Sequence, residues 1–281
     1  MRARFWLPLS LLALAASVRA GETYSHQSAK EVQDLGVIES FEEQEASKPK
    51  FRASVQTRAE FTTNAKMSGD HSSGDLIFFP QIEVGMNVPL GHKFSFDIAA
   101  RTESGLYTQT DERSYIGYSI ISTLDWRPKI DGPRIFIGAE PYRYDSFDTG
   151  DKITQAVGLS AGTDWGFAFD HGYSMAFIGY TFTDYLADPS IDNRTTHKAT
   201  VGVSHQFNAK LTGTMFYQFS YSDYSDVDRR DYRHLVGASL LYQFRENLFG
   251  TFTTSFADLD STQDLASYQG FSLSLGLNLA F

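Results

Sequence analysis

From Phe51 to the C-terminus the chain repeats one pattern: a stretch of about ten residues that alternates apolar and polar, then a polar gap. The last stretch shows it most plainly. Phe271, Leu273, Leu275, Leu277, Leu279 and Phe281 interleave with Ser272, Ser274, Gly276, Asn278 and Ala280. Successive side chains of an extended chain point to opposite sides, so a period of two is a strand with two different faces. The first stretch behaves alike: Phe51, Ala53, Val55, Ala59 and Phe61 face one way, and Arg52, Ser54, Gln56, Arg58 and Glu60 the other.

Similar stretches recur near 75–90, 93–106, 114–126, 134–144, 153–167, 174–183, 195–207, 211–222, 232–244, 248–257 and 268–281, twelve in all. Their connections are sorted. Short ones, such as 91–93, 170–172, 208–210 and 246–247, alternate with longer Asp-rich ones near 62–74, 145–152, 184–194, 223–231 and 258–267. Short turns at one end and long loops at the other are what a membrane barrel shows, whereas a soluble sandwich has no reason to sort its loops by parity. After residue 20 no run of 18 apolar residues occurs, which excludes a spanning helix. In hydrocarbon an open sheet edge is forbidden, so the strands must close into a ring. The expected fold is therefore all-β: a closed antiparallel transmembrane barrel of about twelve strands over 51–281.

Composition supports this where it departs from an ordinary soluble domain. Aromatic residues make up 15% of the chain, with 15 Tyr and 23 Phe. Amphipathic rings prefer the headgroup level, so two belts are expected. One, beside the short turns, holds Phe94, Phe96, Trp126, Trp165, Phe167, Phe207 and Phe244. The other, beside the long loops, holds Phe61, Phe78, Tyr115, Tyr144, Tyr185, Tyr221, Tyr232, Phe256 and Tyr268.

Ahead of the repeats lie two different segments. Residues 1–20 read as a cleaved export signal: Arg2 and Arg4, an apolar run from Leu7 to Val18, and Val18-Arg19-Ala20 as the cleavage site. Residues 21–50 are polar and acidic, with Val32, Leu35, Ile38 and Phe41 spaced by three, and read as a periplasmic extension or a short lumen plug. Losing Arg2, Arg4 and Arg19 takes three from the 24 basic residues against an unchanged 34 acidic, so the formal charge falls from −10 to −13. Such an acidic chain has no footprint for nucleic acid. It also has no cysteine, which excludes a lipid-anchored N-terminus and a disulfide framework.

The terminal Phe281, with an apolar residue at every second position back through Leu279, Leu277, Leu275 and Leu273 to Phe271, resembles the last strand of bacterial outer-membrane β-barrel proteins. The resemblance covers 51–281 and implies an outer-membrane, porin-like barrel of a Gram-negative cell envelope. It implies too that these six residues are read by the barrel assembly machinery, and that lipid and lipopolysaccharide surround the wall.

The inner face carries the functional candidates. By parity, Arg52, Arg58, Arg101, Arg134, Lys198 and Arg233 point inward with Glu60, Glu83, Asp97, Asp125, Glu140 and Asp164. Balanced charges predict cross-strand ion pairs rather than a one-signed selectivity stripe. Phe79, Ile121, Phe136, Phe216, Leu235 and Leu241 share that face and narrow it. The expected role is a narrow channel for small polar solutes. The alternatives are a closed structural or adhesive barrel displaying acidic loops, and an outer-leaflet hydrolase using His197 or His234 at the rim. Adjacent Ser204 and His205 fall on opposite faces and cannot act together. Neither Asp226-Val-Asp228 nor Asp258-Leu-Asp260 continues into a calcium loop. No catalytic, metal or cofactor site is expected.

Overall fold

The computed structural model describes residues 49–65, 74–129, 132–263 and 266–281. The expected signal segment and all but the last two residues of 21–50 lie outside the described residues.

Twelve strands follow one another: β1 (Lys50–Thr62), β2 (Asp75–Pro89), β3 (Phe94–Tyr107), β4 (Tyr115–Trp126), β5 (Arg134–Ser146), β6 (Lys152–Phe169), β7 (Ser174–Asp188), β8 (Arg194–Asn208), β9 (Leu211–Tyr224), β10 (Arg230–Arg245), β11 (Leu248–Ser261) and β12 (Tyr268–Ala280). Each pairs antiparallel with its neighbours in sequence, and β1 closes on β12, from Ser54 opposite Ala280 to Thr62 opposite Ser272. Phe281 completes the seam: its N–H donates to Ala53 O at 2.8 Å and its carbonyl accepts from Ala53 N at 3.2 Å. No edge is left, as the absence of water in hydrocarbon demands.

Every expected strand is present, and most run further than their alternation does. β7 continues to Asp188, β8 begins at Arg194, β10 begins at Arg230 and β11 continues to Ser261. Four of the expected long loops shrink accordingly to 147–151, 189–193, 225–229 and 262–267, and the opposite-end connection 127–133 is longer than any of these. Strand ends that rise out of a bilayer carry polar residues on both faces, so period two fades there while the ladder continues. We call the end where β1 begins and β12 ends the terminal end, and the other the distal end.

The two faces differ as the pattern requires. Ile82, Val84, Ile120, Ile137, Val236 and Leu275 are exposed on the outer wall, each at or above half of its free area. Arg58, Glu60, Asp97, Asp125, Arg134 and Arg233 are buried. A soluble protein shows the reverse. One expectation is corrected here. Tyr115, Tyr144, Tyr185 and Tyr268 are at most 8% exposed and lie on the inner face, not in the outer belt. Residues at even spacing from Asp125 on β4, Glu140 on β5 and Ser272 on β12 share the inward direction, and that parity outranks the preference of a ring for the interface. Phe61, Phe78, Tyr232 and Phe256 do project outward near the distal end, and Phe94, Trp126, Trp165, Phe167, Phe207 and Phe244 near the terminal end.

At the distal end one carboxylate holds a connection in place. Asp75, 1% exposed at the start of β2, accepts from Thr108 N at 3.1 Å and Oγ1 at 2.7 Å, from Gln109 N at 3.0 Å, and from Thr110 N at 3.0 Å and Oγ1 at 2.7 Å. An ionised carboxylate only accepts, so the array suits it and no other side chain of its size. Asp75→Asn turns an amide N–H₂ toward these donors. It is expected to lower the unfolding free energy of the refolded barrel in detergent by about 2–4 kcal/mol, measured by urea titration.

Candidate functional site: the inner face of the barrel

The inner face is assembled by parity, one side chain from every second residue of each strand. Ion pairs cross the strands near the terminal end. Arg52 on β1 lies between Glu83 on β2, at 3.4 Å, and Asp97 on β3, whose Oδ1 it reaches at 2.8 Å. Arg101 grips the other oxygen of Glu83 at 2.6 and 2.8 Å. A second group joins β4 to β6: Arg134 donates to Asp164 at 2.7 Å, stands 3.7 Å from Asp125, and lies over the Phe136 ring at 5.0 Å. Further toward the distal end Arg58 stands 3.6 Å from Glu60 and caps the Phe79 ring at 4.3 Å.

These contacts are the balanced pairing that the charges imply. Removing a charge from water costs several kcal/mol, and a partner with extra hydrogen bonds offsets it. The remaining candidates also sit inside. Glu140 and Arg233 are buried, the latter to 2%, and Lys198 is half-buried between Thr181 and Ser220 in register. The apolar candidates Phe79, Ile121, Phe136, Phe216 and Leu235 are buried among them, and Leu241 is half-buried.

Four inward residues had no place in the sequence reading. Tyr142 and Glu103, both inside expected strands, were not singled out, and Arg194 and Asp231 fell in stretches read as loop. Continuing the parity of Arg134 and Glu140 along β5 would have found Tyr142, and that of Asp97 and Arg101 along β3 would have found Glu103; nothing local marks the other two. Together with the corrected tyrosines they build a collar in the distal half. Tyr115 meets Tyr144 edge-on at 5.2 Å, Tyr142 stands 5.4 Å from Tyr144, and Tyr144 Oη donates to Glu103 at 2.9 Å. Across β7 to β9 the Arg194 guanidinium lies over Tyr185 at 4.5 Å and Tyr224 at 5.5 Å. Two glycines make room: a Cβ on Gly105 would stand 2.1 Å from Tyr115, and one on Gly117 2.4 Å from Tyr144.

Exposure is graded along the inner face. At the distal half Thr154, Thr183, Glu60, Gln218 and Leu235 are all at most 2% exposed. Toward the terminal end the same strands carry half-buried inward residues, as at 160–166 on β6, 52–56 on β1 and 239–243 on β10. On β3 to β5, by contrast, inward residues stay buried to the terminal end, as at Ser95, Asp97, Asp125 and Arg134.

The rim candidates have other partners. His197 Nδ1 and His234 Nδ1, on the outer wall, each share a 2.7 Å hydrogen bond with a phenol, Tyr180 Oη and Tyr217 Oη. His205 bonds Ser174 Oγ at 2.8 Å across the β7–β8 pair, while Ser204 turns inward to Thr214 at 3.1 Å. Among the described residues no three His, Asp or Glu gather closely enough to hold a metal.

A closed antiparallel ring, apolar outside and ion-paired inside, is the architecture of a transmembrane β-barrel, and the chain has that fold. Residues 169–281 match the family described as "Putative beta-barrel porin 2". Among solved structures, an outer membrane channel from Pseudomonas putida F1 is similar at a TM-score of 0.56 and 11% identity, covering 82% of this chain and 95% of that one. That likeness concerns the fold alone. The translocator domain of the autotransporter NalP from Neisseria meningitidis is similar at 0.47 and 11%, covering 85% of this chain and 91% of its own. The channel DcaP of Acinetobacter baumannii is similar at 0.45 and 10%, covering 83% and 97%. No curated protein matches the sequence.

Arg134→Met should remove the guanidinium shared by Asp164 and Asp125 and cost about 3 kcal/mol. Arg134→Met combined with Asp125→Leu should recover part of that loss in the same urea titration, as a double-mutant cycle.

Proposed function

We propose that the protein is a narrow porin-like channel of the outer membrane for small polar solutes. The observation that carries this reading is the inner face itself: polar and charged from Arg52 near the terminal end to Asp231 near the distal end, in a ring whose outer wall is apolar. A barrel stabilised only as a scaffold could fill its interior with aliphatic side chains at lower desolvation cost. Twelve strands fall between rings filled by side chains and those of about 16 that hold an aqueous channel. With the terminal end in the periplasm, the tyrosine collar forms an outer constriction, so size sets selectivity. Paired charges leave ion selectivity weak.

The burial of the distal half favours a second reading, a closed barrel that displays its acidic connections as a structural or adhesive surface. A hydrolase centred on His197 or His234 gains nothing from their phenol partners, which cannot serve as the acid of a triad and are poor nucleophiles at neutral pH.

Conductance separates the two main readings. Reconstituted in planar bilayers, the protein should pass small, weakly selective currents, and Tyr142→Ala with Tyr185→Ala should raise the unit conductance. A sealed bilayer, with insertion verified and the double variant equally silent, would contradict the channel and leave the closed barrel.

A further inference from the structure

The charges of the inner face balance over the whole ring but not half by half. By parity β7, β8, β9, β11 and β12 turn no carboxylate inward, and β10 turns one, Asp231 at its distal start. Asp231 is already engaged: Arg229 donates to it at 2.9 Å and Ser261 at 2.6 Å. The same strands turn Arg194, Lys198 and Arg233 inward. On β1 to β6 the arginines have anionic company: Arg52, Arg58, Arg101 and Arg134 each face a carboxylate.

Lys198 is different. Among the described residues its ammonium has no ion-pair or hydrogen-bond partner. In register it lies between Thr181 on β7 and Ser220 on β9, with Thr200 two residues along its own strand, and all three hydroxyl residues are buried. Arg233 stands beyond Ser220 in the same row. The inward carboxylate of β6, Asp164, is two strands away and held by Arg134 at 2.7 Å. The row lies four residues below Tyr185, Arg194 and Tyr224 of the collar, about 13 Å along the strands. Toward the terminal end the neighbouring wall is of short, half-buried residues, Gly179, Gly202 and Ser204. A cation inside a barrel costs free energy unless a counter-charge offsets it, and here the protein supplies none.

We propose that Lys198 is an anion-binding point of the lumen, taking the carboxylate of a small organic solute beside the hydroxyls of Thr181, Thr200 and Ser220. A carboxylate offers two acceptor oxygens, so it can meet the ammonium and a neighbouring hydroxyl at once. The half-buried cation is a point charge on a flexible stem rather than a guanidinium fork, which suits a singly charged group. As a selectivity element the site rests on the channel reading and narrows its solutes to acidic ones; as a binding site it does not depend on conduction. With no carboxylate on this part of the wall, the weak ion selectivity takes an anionic sign.

Two measurements on the full mature protein test this. In planar bilayers under a gradient of potassium acetate, wild type should favour acetate over potassium by about threefold, the effect of one unit charge met at about 6 Å in water-like surroundings. Lys198→Gln should abolish that preference and Lys198→Glu reverse it, while Lys152→Gln, at the distal rim, should leave it unchanged. In detergent, acetic anhydride and mass spectrometry read the Lys198 ammonium directly. It should be acetylated, and propionate, but not neutral propionamide, should slow the reaction; the exposed Lys93 and Lys210 should react equally with and without propionate. A conducting barrel whose reversal potential ignores both Lys198 substitutions would overturn the proposal and leave the channel. A silent bilayer in which propionate still protects Lys198 would support the anion site and remove the channel. A Lys198 that does not react or is not protected, or a Lys152→Gln shift as large as that of Lys198→Gln, would overturn the proposal.

Discussion

The whole structure follows from one constraint: a polypeptide in hydrocarbon has no water to satisfy its backbone, so every N–H and C=O must find a partner in the chain. Strands meet that demand only by pairing on both sides, and twelve strands do so by closing β1 onto β12. Once the ring is closed, period two sorts every side chain to lipid or to the interior, and a one-residue slip would exchange the two sets. The exposed Ile, Val, Leu and Phe of the outer wall are therefore in their favoured solvent.

The interior is stabilised differently. Few of its described residues pack as a conventional core; three small apolar clusters, around Tyr115, Leu235 and Ile77, lie in the distal half, and charge pairs that tie β1 to β3 and β4 to β6 lie nearer the terminal end. Each pair roughly repays its own desolvation rather than adding stability. What the pairs secure is position: they hold the guanidinium groups and carboxylates against the wall, and the tyrosine collar takes up the space nearer the distal end. Shape and weak net charge, rather than a one-signed stripe, are the means of selection such an interior offers.

The fold was legible because alternation in strands such as β10 and β12 is unbroken, and because the inward set from Arg52 to Arg233 could be read from parity alone. Two kinds of feature were not. Where strands leave the bilayer, as at Arg194 and Asp231, both faces turn polar and the period vanishes although the ladder continues. And the tyrosines of the collar were assigned by residue type, to the interface that rings generally prefer, when the strand's own parity already sent Tyr115, Tyr144 and Tyr268 inward. The ion-pair partners were legible only as a balance of signs, since which carboxylate meets which guanidinium depends on register across strands far apart in sequence.

The central claim is that hydrocarbon covers one face of each strand and not the other. The chain has no cysteine, so single cysteines on β10 can carry an environment-sensitive fluorophore without background. Val236, Leu240 and Tyr242 project outward, and Ser239, Leu241 and Gln243 inward. In vesicles containing lipids brominated on their chains, labels at the first three should be quenched and labels at the second three spared. Quenching that does not alternate along the strand, or a labelled barrel that stays monodisperse with no lipid or detergent at all, would contradict the account.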